Sequence, residues 1–250
     1  VLPAYAKPTP ADAEKLYKAG KYTEAVLAYD SIMKSDGTSA QLLFNMGNAY
    51  VKSDKLGAAM VCYQQAHALA PSNSTINDNI EYISGKIEDR NKAKLGGKNK
   101  SVTPDSPSFM KSVERKIASN VSADVWGYLA IASFIILLGG VALYIFTANV
   151  LMRKIGFFGA LVFLALTVMF NVFTFVALSY WSQRNECVIT SYEATILPSP
   201  NSEAKSEVTP LVEGTLLELI PEEDTPKGWV KVKLNSSFIG YLPENDVVAL

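Results

Sequence analysis

Val125–Met152 reads VWGYLAIASFIILLGGVALYIFTANVLM, and beyond Arg153-Lys154 the stretch Ile155–Gln183 reads IGFFGALVFLALTVMFNVFTFVALSYWSQ. These windows of 28 and 29 residues hold no charged side chain, and Arg153 and Lys154 are the only charges between Asp124 and Arg184. About 20 apolar residues in a helix cover the hydrocarbon core of a bilayer. The expectation is therefore two transmembrane helices, 126–148 and 155–181, joined by a tight loop at 149–154. Trp126, Tyr128, Tyr180 and Trp181 suit the headgroup level. A wholly soluble, single-domain chain is excluded.

Lipid gives two such helices no hydrophobic reason to pair, so small and polar residues should line their contact. Ser133, Gly140 and Thr147 recur every seven residues on the first helix, and Gly156, Ala160, Thr167, Asn171 and Thr174 form a stripe on the second. Asn171 falls near mid-membrane, where an unpaired amide is costly, and is expected to hydrogen-bond between the helices. Neither span contains an acid or a histidine. The pair reads as an anchor, with no ion or proton path.

Outside the spans the charges divide by sign. The 250 residues carry 23 basic and 24 acidic groups, a net of −1. Residues 1–124 stand at +3, Arg153, Lys154 and Arg184 add +3, and the rest of 185–250 stands at −7. A domain of that charge seeks neither nucleic acid nor anionic lipid by itself. Residues 92–108, rich in Gly, Lys, Ser and Pro, have the composition of a flexible linker. At 109–121, Phe109, Val113, Ile117 and Val121 recur every four residues opposite Lys111, Arg115 and Lys116. That pattern is expected to form an amphipathic helix lying on membrane lipid.

The N-terminal part repeats itself at an offset of 34. Ala13 pairs with Gly47, Leu16 with Tyr50, Ala25 with Ala59, Tyr29 with Tyr63 and Ile32 with Ala66. Small residues fall where two helices of a hairpin must touch, and large ones where the hairpin fills space beside its neighbour. Gly20 and Asp54 mark the turns, and Pro71 closes the second repeat. Leu43, Gly47, Tyr50, Ala59, Tyr63, Ala66 and Pro71 resemble the tetratricopeptide (TPR) pattern, so 7–91 reads as two TPR repeats plus a capping helix. The cap, about 74–91, carries Ile76, Ile80, Ile83 and Ile87 at helical spacing and is expected to be solvated on its outer side. The resemblance implies a concave partner-binding face bearing Tyr17, Phe44, Asn48 and Val51. Asn48 then stands where peptide-binding repeats hold a ligand backbone; packing of Phe44 and Val51 on the cap is the alternative.

After Arg184 come short β-branched runs at Cys187–Thr190, Thr195–Leu197, Thr215–Ile220, Trp229–Leu234 and Phe238–Leu242, separated by Pro, Gly and Asn turns. Five strands in so short a segment predict a small barrel over 186–250. Val212-Glu213-Gly214-Thr215, Gly228-Trp229-Val230-Lys231-Val232 and Gly240-Tyr241-Leu242-Pro243 resemble bacterial SH3-like domains, which implies partner binding through Trp229 and Tyr241. The fold class expected is multidomain: all-α TPR repeats, a two-helix transmembrane hairpin and a C-terminal all-β SH3-like barrel.

The chemistry inventory is thin. The chain has one histidine, His67, and two distant cysteines, Cys62 and Cys187, with no nucleotide, metal or nucleophile motif. The expectation is no enzyme, no cofactor and no small-molecule substrate. Orientation rests on conflicting charges: Arg153-Lys154 draw the loop to the cytoplasm, while Lys111, Arg115, Lys116 and Arg184 flank the opposite side. Ala4-Tyr5-Ala6 has the small-x-small form of a signal-peptidase site, so residues 1–6 read as a signal-peptide remnant and both soluble domains as periplasmic.

Beyond the domain order, Ser122-Ala123-Asp124-Val125-Trp126-Gly127-Tyr128-Leu129, Arg153-Lys154-Ile155-Gly156-Phe157-Phe158-Gly159 and Pro198-Ser199-Pro200 followed by Val212-Glu213-Gly214-Thr215 resemble the BatE family of the aerotolerance (Bat) operon. The resemblance implies a Gram-negative inner-membrane protein. Its partners would be other Bat proteins with von Willebrand A (vWA) domains and a MoxR-type ATPase system, in a role associated with oxidative-stress tolerance and envelope integrity. The expectation is a non-catalytic scaffold; the rival is a cell-wall tether whose SH3-like domain binds peptidoglycan while the TPR recruits a client.

Overall fold

The structure, a computed structural model, describes residues 7–94, 108–201, 210–222, 224–235 and 238–250. The expected signal-peptide remnant and most of the expected linker lie outside the described residues. What is described divides into two compact units: the N-terminal helices together with the C-terminal sheet, and the apolar helices with the helix that precedes them.

Five helices open the first unit: α1 Pro10–Lys18, α2 Tyr22–Asp36, α3 Ala40–Lys52, α4 Leu56–Leu69 and α5 Ser74–Lys94. Thr9 starts α1 with a capping box, its side chain accepting from the Asp12 N–H while the Asp12 carboxylate accepts from the Thr9 N–H. The hairpins α1–α2 and α3–α4 share one turn geometry at the 34-residue offset. Gly20 and Asp54 both take left-handed backbone, at φ 76° and 61°, and the N–H groups of Lys21 and Lys55 reach back to Leu16 O and Tyr50 O, each at 3.0 Å. Glycine enters that region freely, and aspartate is among the few other residues that tolerate it. The small residues Ala13, Ala25 and Ala59 are fully buried where helices meet. Gly47 lies so close to Tyr63 that a Cβ there would stand 2.6 Å from the ring.

Seven strands follow: β1 Glu186–Ile189, β2 Glu193–Ala194, β3 Leu211–Val212, β4 Leu216–Leu219, β5 Trp229–Asn235, β6 Phe238–Pro243 and β7 Val247–Ala249. All described pairings are antiparallel, in a five-stranded sheet of order β6-β5-β4-β1-β7 and a separate β2-β3 pair. The expected closed barrel is not formed. Closure would require β6 to meet β7, but a 3-10 turn at Glu244–Asp246 carries β7 to β1 at the opposite edge. The run expected as a strand at Thr195–Leu197 pairs only through a bridge from Leu197 to Tyr241, and the paired residues lie just before it, at Glu193–Ala194. Strands β3 and β7, of two and three residues, are too short to show periodicity.

Cys187, Ile189, Leu217, Val232, Leu234 and Leu242 fill one side of the sheet. The other side of β1 is equally dry, because Val188 joins Val212, Leu56, Ala59, Met60, Tyr63, Ile83 and Ile87 in a shared cluster. The expected solvated cap is thereby corrected: α5 buries Ile76, Ile83 and Ile87 almost completely, and the sheet supplies cover for the last two.

The second unit consists of α6 Phe109–Asn120, α7 Ala123–Phe146 and α8 Val150–Ser182. α7 and α8 are long and apolar enough to cross a membrane. The loop expected at 149–154 is shorter than its sequence reading. The Asn149 side chain accepts from the Leu151 N–H at 2.9 Å and so caps α8. Arg153 and Lys154 therefore sit in the opening turns of the helix. Trp126 ties the unit together, donating from its indole N–H to Ile117 O (3.3 Å) and packing on Phe170 and Phe173. At the far end of α6, Phe109 and Met110 remain exposed.

Candidate interaction surfaces

The joint between helices and sheet is the most heavily built polar site in the first unit. Glu213 is 8% exposed; its Oε2 accepts from the Gly57 N–H at 3.2 Å, and its Oε1 accepts from Arg90 at 3.3 Å. Arg90 also donates to Asp54 at 2.5 Å. One residue further along α5, Asn91 accepts from the Val212 N–H (3.2 Å) and donates to Thr215 Oγ1 (3.3 Å), acting as an extra partner for β3. Gly57 and Gly214 permit the approach: a Cβ at 57 would stand 2.7 Å from Ile189 O, and one at 214 would stand 2.3 Å from the Ile87 side chain. A second clasp lies on α4, where Gln64 Oε1 accepts from Arg184 at 2.7 Å while Arg184 pairs with Glu186. Beside it the buried imidazole of His67 is pushed down to about 4, first by burial and then by the Arg184 charge. Sequence reasoning missed this joint. Its available signals were a glycine in the first turn of α4 and an acid beside Gly214, where a solvated turn is the simpler reading.

The expected concave-face residues separate. Phe44, Asn48 and Val51 are half-buried under α5: Phe44 packs on Tyr63 with ring centroids 5.8 Å apart, and Val51 joins the shared cluster. Asn48 Oδ1 accepts from the Tyr63 hydroxyl at 2.6 Å and from Asn79 Nδ2 at 3.2 Å. The amide that would hold a ligand backbone is thus engaged by the chain's own α5. Burial raises the Tyr63 pKa well above the ordinary phenol value. Tyr17 lies elsewhere, edge-on to Tyr22 with centroids 5.5 Å apart.

Trp229 and Tyr241 fall on one face of the β5–β6 pair. In the β5–β6 register Trp229 faces Pro243 and Lys231 faces Tyr241, so strand alternation sets these four on one face. That face is half-exposed, while Val232, Leu234 and Leu242 point to the core. Glu222 organises it, accepting from Lys231 at 3.0 Å and from the Tyr241 hydroxyl at 3.3 Å. The Lys231 hydrogen bond holds the Glu222 carboxyl below its usual range, and Glu222 in turn raises Lys231.

In the apolar hairpin Ser133 is buried and shares a 2.9 Å hydroxyl contact with Thr167. A Cβ on Gly140 would meet the Ala160 backbone at 3.1 Å, and one on Gly156 would meet Gly140 O at 2.7 Å. Asn171 departs from its expected role. Its amide donates to Thr167 O of its own helix at 2.8 Å, and the residue is exposed on the outside of the pair. Asn171 lies one turn beyond Thr167, and a back-bond to the carbonyl four residues earlier satisfies the amide N–H without a partner helix.

Cys62 and Cys187 are buried free thiols in different clusters, each pushed up to about 12 by burial. Among the described residues no three His, Cys, Asp or Glu side chains are grouped to hold a metal ion. The chain matches no protein-family model and no curated protein.

Proposed function

We propose that the chain is a non-catalytic, membrane-anchored scaffold of a Bat-type inner-membrane assembly, with TPR-type helices and an SH3-like domain as its protein-binding parts. The observation that carries this reading is the core shared by α4, α5, β1 and β3. Segments from before and after the two apolar helices fold into one body, so both lie on one side of any membrane the hairpin crosses. This supports a two-span path with the soluble parts together and the bend opposite. Under the export expected from residues 1–6, that side is the periplasm and the bend is cytoplasmic.

A scaffold benefits from such a body, because partners bound at different points are held at fixed separations. With Phe44, Asn48 and Val51 covered by α5, the helices act chiefly as a buttress and leave Tyr17 at their open end. The face of Trp229 and Tyr241 is the surface offered to partners. Asn171, exposed on the hairpin, keeps its amide oxygen and second N–H for a neighbouring membrane helix after its bond to Thr167 O. The resemblance to the Bat family supplies the partner class: vWA-domain membrane proteins and, through them, a MoxR-type ATPase.

Detergent co-purification of the full-length protein with mass spectrometry tests this. The expected result is recovery of vWA-domain membrane proteins, reduced by Trp229→Ala or Asn171→Leu. Recovery of cell-wall enzymes alone overturns it. The aromatic pair on an open face also suits stacking on sugars, which favours peptidoglycan tethering as the second reading. The full chain cosedimenting with insoluble peptidoglycan, and losing this with Trp229→Ala, would establish the tether instead. The whole protein is required, since residues 185–250 alone would expose Val188 and Val212.

A further inference from the structure

At the bend of the hairpin, Tyr144, Val150, Arg153, Lys154, Phe157 and Phe158 line a cavity of about 300 Å³. Its chemistry is two-sided. Arg153 lies over the Tyr144 ring, 5.2 Å from its centroid, and that ring packs on Phe157 at 5.8 Å, which in turn meets Phe158 edge-on at 5.4 Å. The result is a pair of adjacent cations beside an aromatic wall. Both cations are exposed, and no carboxylate lies within the charge-free windows around them. Their position near the start of α8 also opposes the helix dipole, whose positive end lies there. An anion at this place offsets both unfavourable terms, and the aromatic wall beside it suits hydrocarbon.

We propose that this cavity holds the phosphate headgroup of an anionic phospholipid against Arg153 and Lys154, with acyl chain along Phe157 and Phe158. The inference rests on α7 and α8 spanning a bilayer. A lipid bound here tethers the bend to its leaflet and opposes piston-like movement of the anchor when partners pull on the soluble unit.

Native mass spectrometry of the full-length protein in detergent, titrated with phosphatidylglycerol or phosphatidylcholine of identical acyl chains, reads the preference. Each basic side chain at an anionic surface is worth roughly fivefold in affinity, so the pair predicts about 25-fold in favour of phosphatidylglycerol, falling to parity in Arg153→Gln/Lys154→Gln. Equal retention of the two lipids, or a preference that survives the double substitution, overturns the proposal. Inorganic phosphate in the same titration separates the possible sources. Failure to displace the lipid supports the headgroup site, and displacement at millimolar phosphate overturns it in favour of a free-phosphate site. Carbonate extraction of membranes distinguishes the two layers of the argument. Protein released by carbonate loses the spanning reading and this site with it, whereas protein that resists carbonate but shows no lipid preference loses the site alone.

Discussion

The unit of helices and sheet, proposed above to be soluble, and the apolar hairpin, proposed to be its membrane anchor, use large apolar side chains in opposite places. In the soluble unit the fully buried side chains include large ones, among them Tyr29, Tyr63, Leu56, Ile189 and Leu242, beside the alanines at its helix contacts. In the hairpin the buried residues are Ala130, Ser133, Gly156 and Ala177, while Ile135, Phe146 and Phe175 are 62%, 86% and 71% exposed. Water drives large apolar surface inward. Lipid does not, so helices there gain from close backbone approach, and small residues occupy the seam. The inversion is the packing expected if the hairpin stands in lipid and the first unit in water.

Perturbations of opposite kind should break the two units. Truncating Tyr63 removes a ring that is 1% exposed and strips Asn48 of its closest hydrogen-bond donor. Tyr63→Ala is expected to destabilise the soluble unit by about 3–5 kcal/mol, the range for large-to-small changes at buried aromatics. Urea unfolding followed by circular dichroism in detergent checks this, and a loss below 1 kcal/mol would contradict the packing described.

Acid should act on the soluble unit and spare the hairpin, whose spans hold no titrating acid or histidine. The His67 imidazole, beside Arg184 and its partner Glu186, titrates at about 4 when folded, against an ordinary value of 6.5. Between those values the unfolded chain binds a proton that the folded chain refuses. Stability from this group is therefore complete above pH 6.5, declines as pH falls, and is exhausted near pH 4. The loss amounts to up to about 3 kcal/mol. Thermal melts across that window should show the decline, and His67→Gln should flatten it. An identical slope in the variant would assign the effect to other groups.

Enlarging a seam residue is the matching test in the hairpin. Gly156→Leu places atoms where Gly140 O and Tyr144 N already stand, at 2.7 and 2.8 Å from the added Cβ. Overpacking of this kind costs about 1–3 kcal/mol. The helices should part, read as slower migration of the compact form on detergent gels, while the soluble unit melts unchanged. Unaltered migration would remove the close seam.

Much of this was legible in the chain. Two charge-free windows specify apolar helices because backbone in lipid must satisfy its own hydrogen bonds. The 34-residue offset places Gly20 and Asp54 at equivalent turns, because a tight turn needs left-handed backbone. Ser133, Gly140, Ala160 and Thr167 were found as contact residues since small size at helical spacing has one main use between membrane helices. Asn171 was misplaced because spacing assigns a residue to a stripe without saying which way its amide bonds. The barrel was expected closed because strand count and turn signals do not report which edges pair.

The linear sequence therefore determined the local matters: which segments avoid water, where helices turn, and which residues are small enough for backbones to touch. These depend on neighbours a few positions away or on a fixed repeat. Only the tertiary structure decided that β1 is dry on both faces, that α5 is a shared wall instead of a solvated cap, and that Glu213 meets Gly57 and Arg90. Those contacts join residues more than a hundred positions apart, across the whole membrane hairpin, and no local pattern encodes a pairing at that distance.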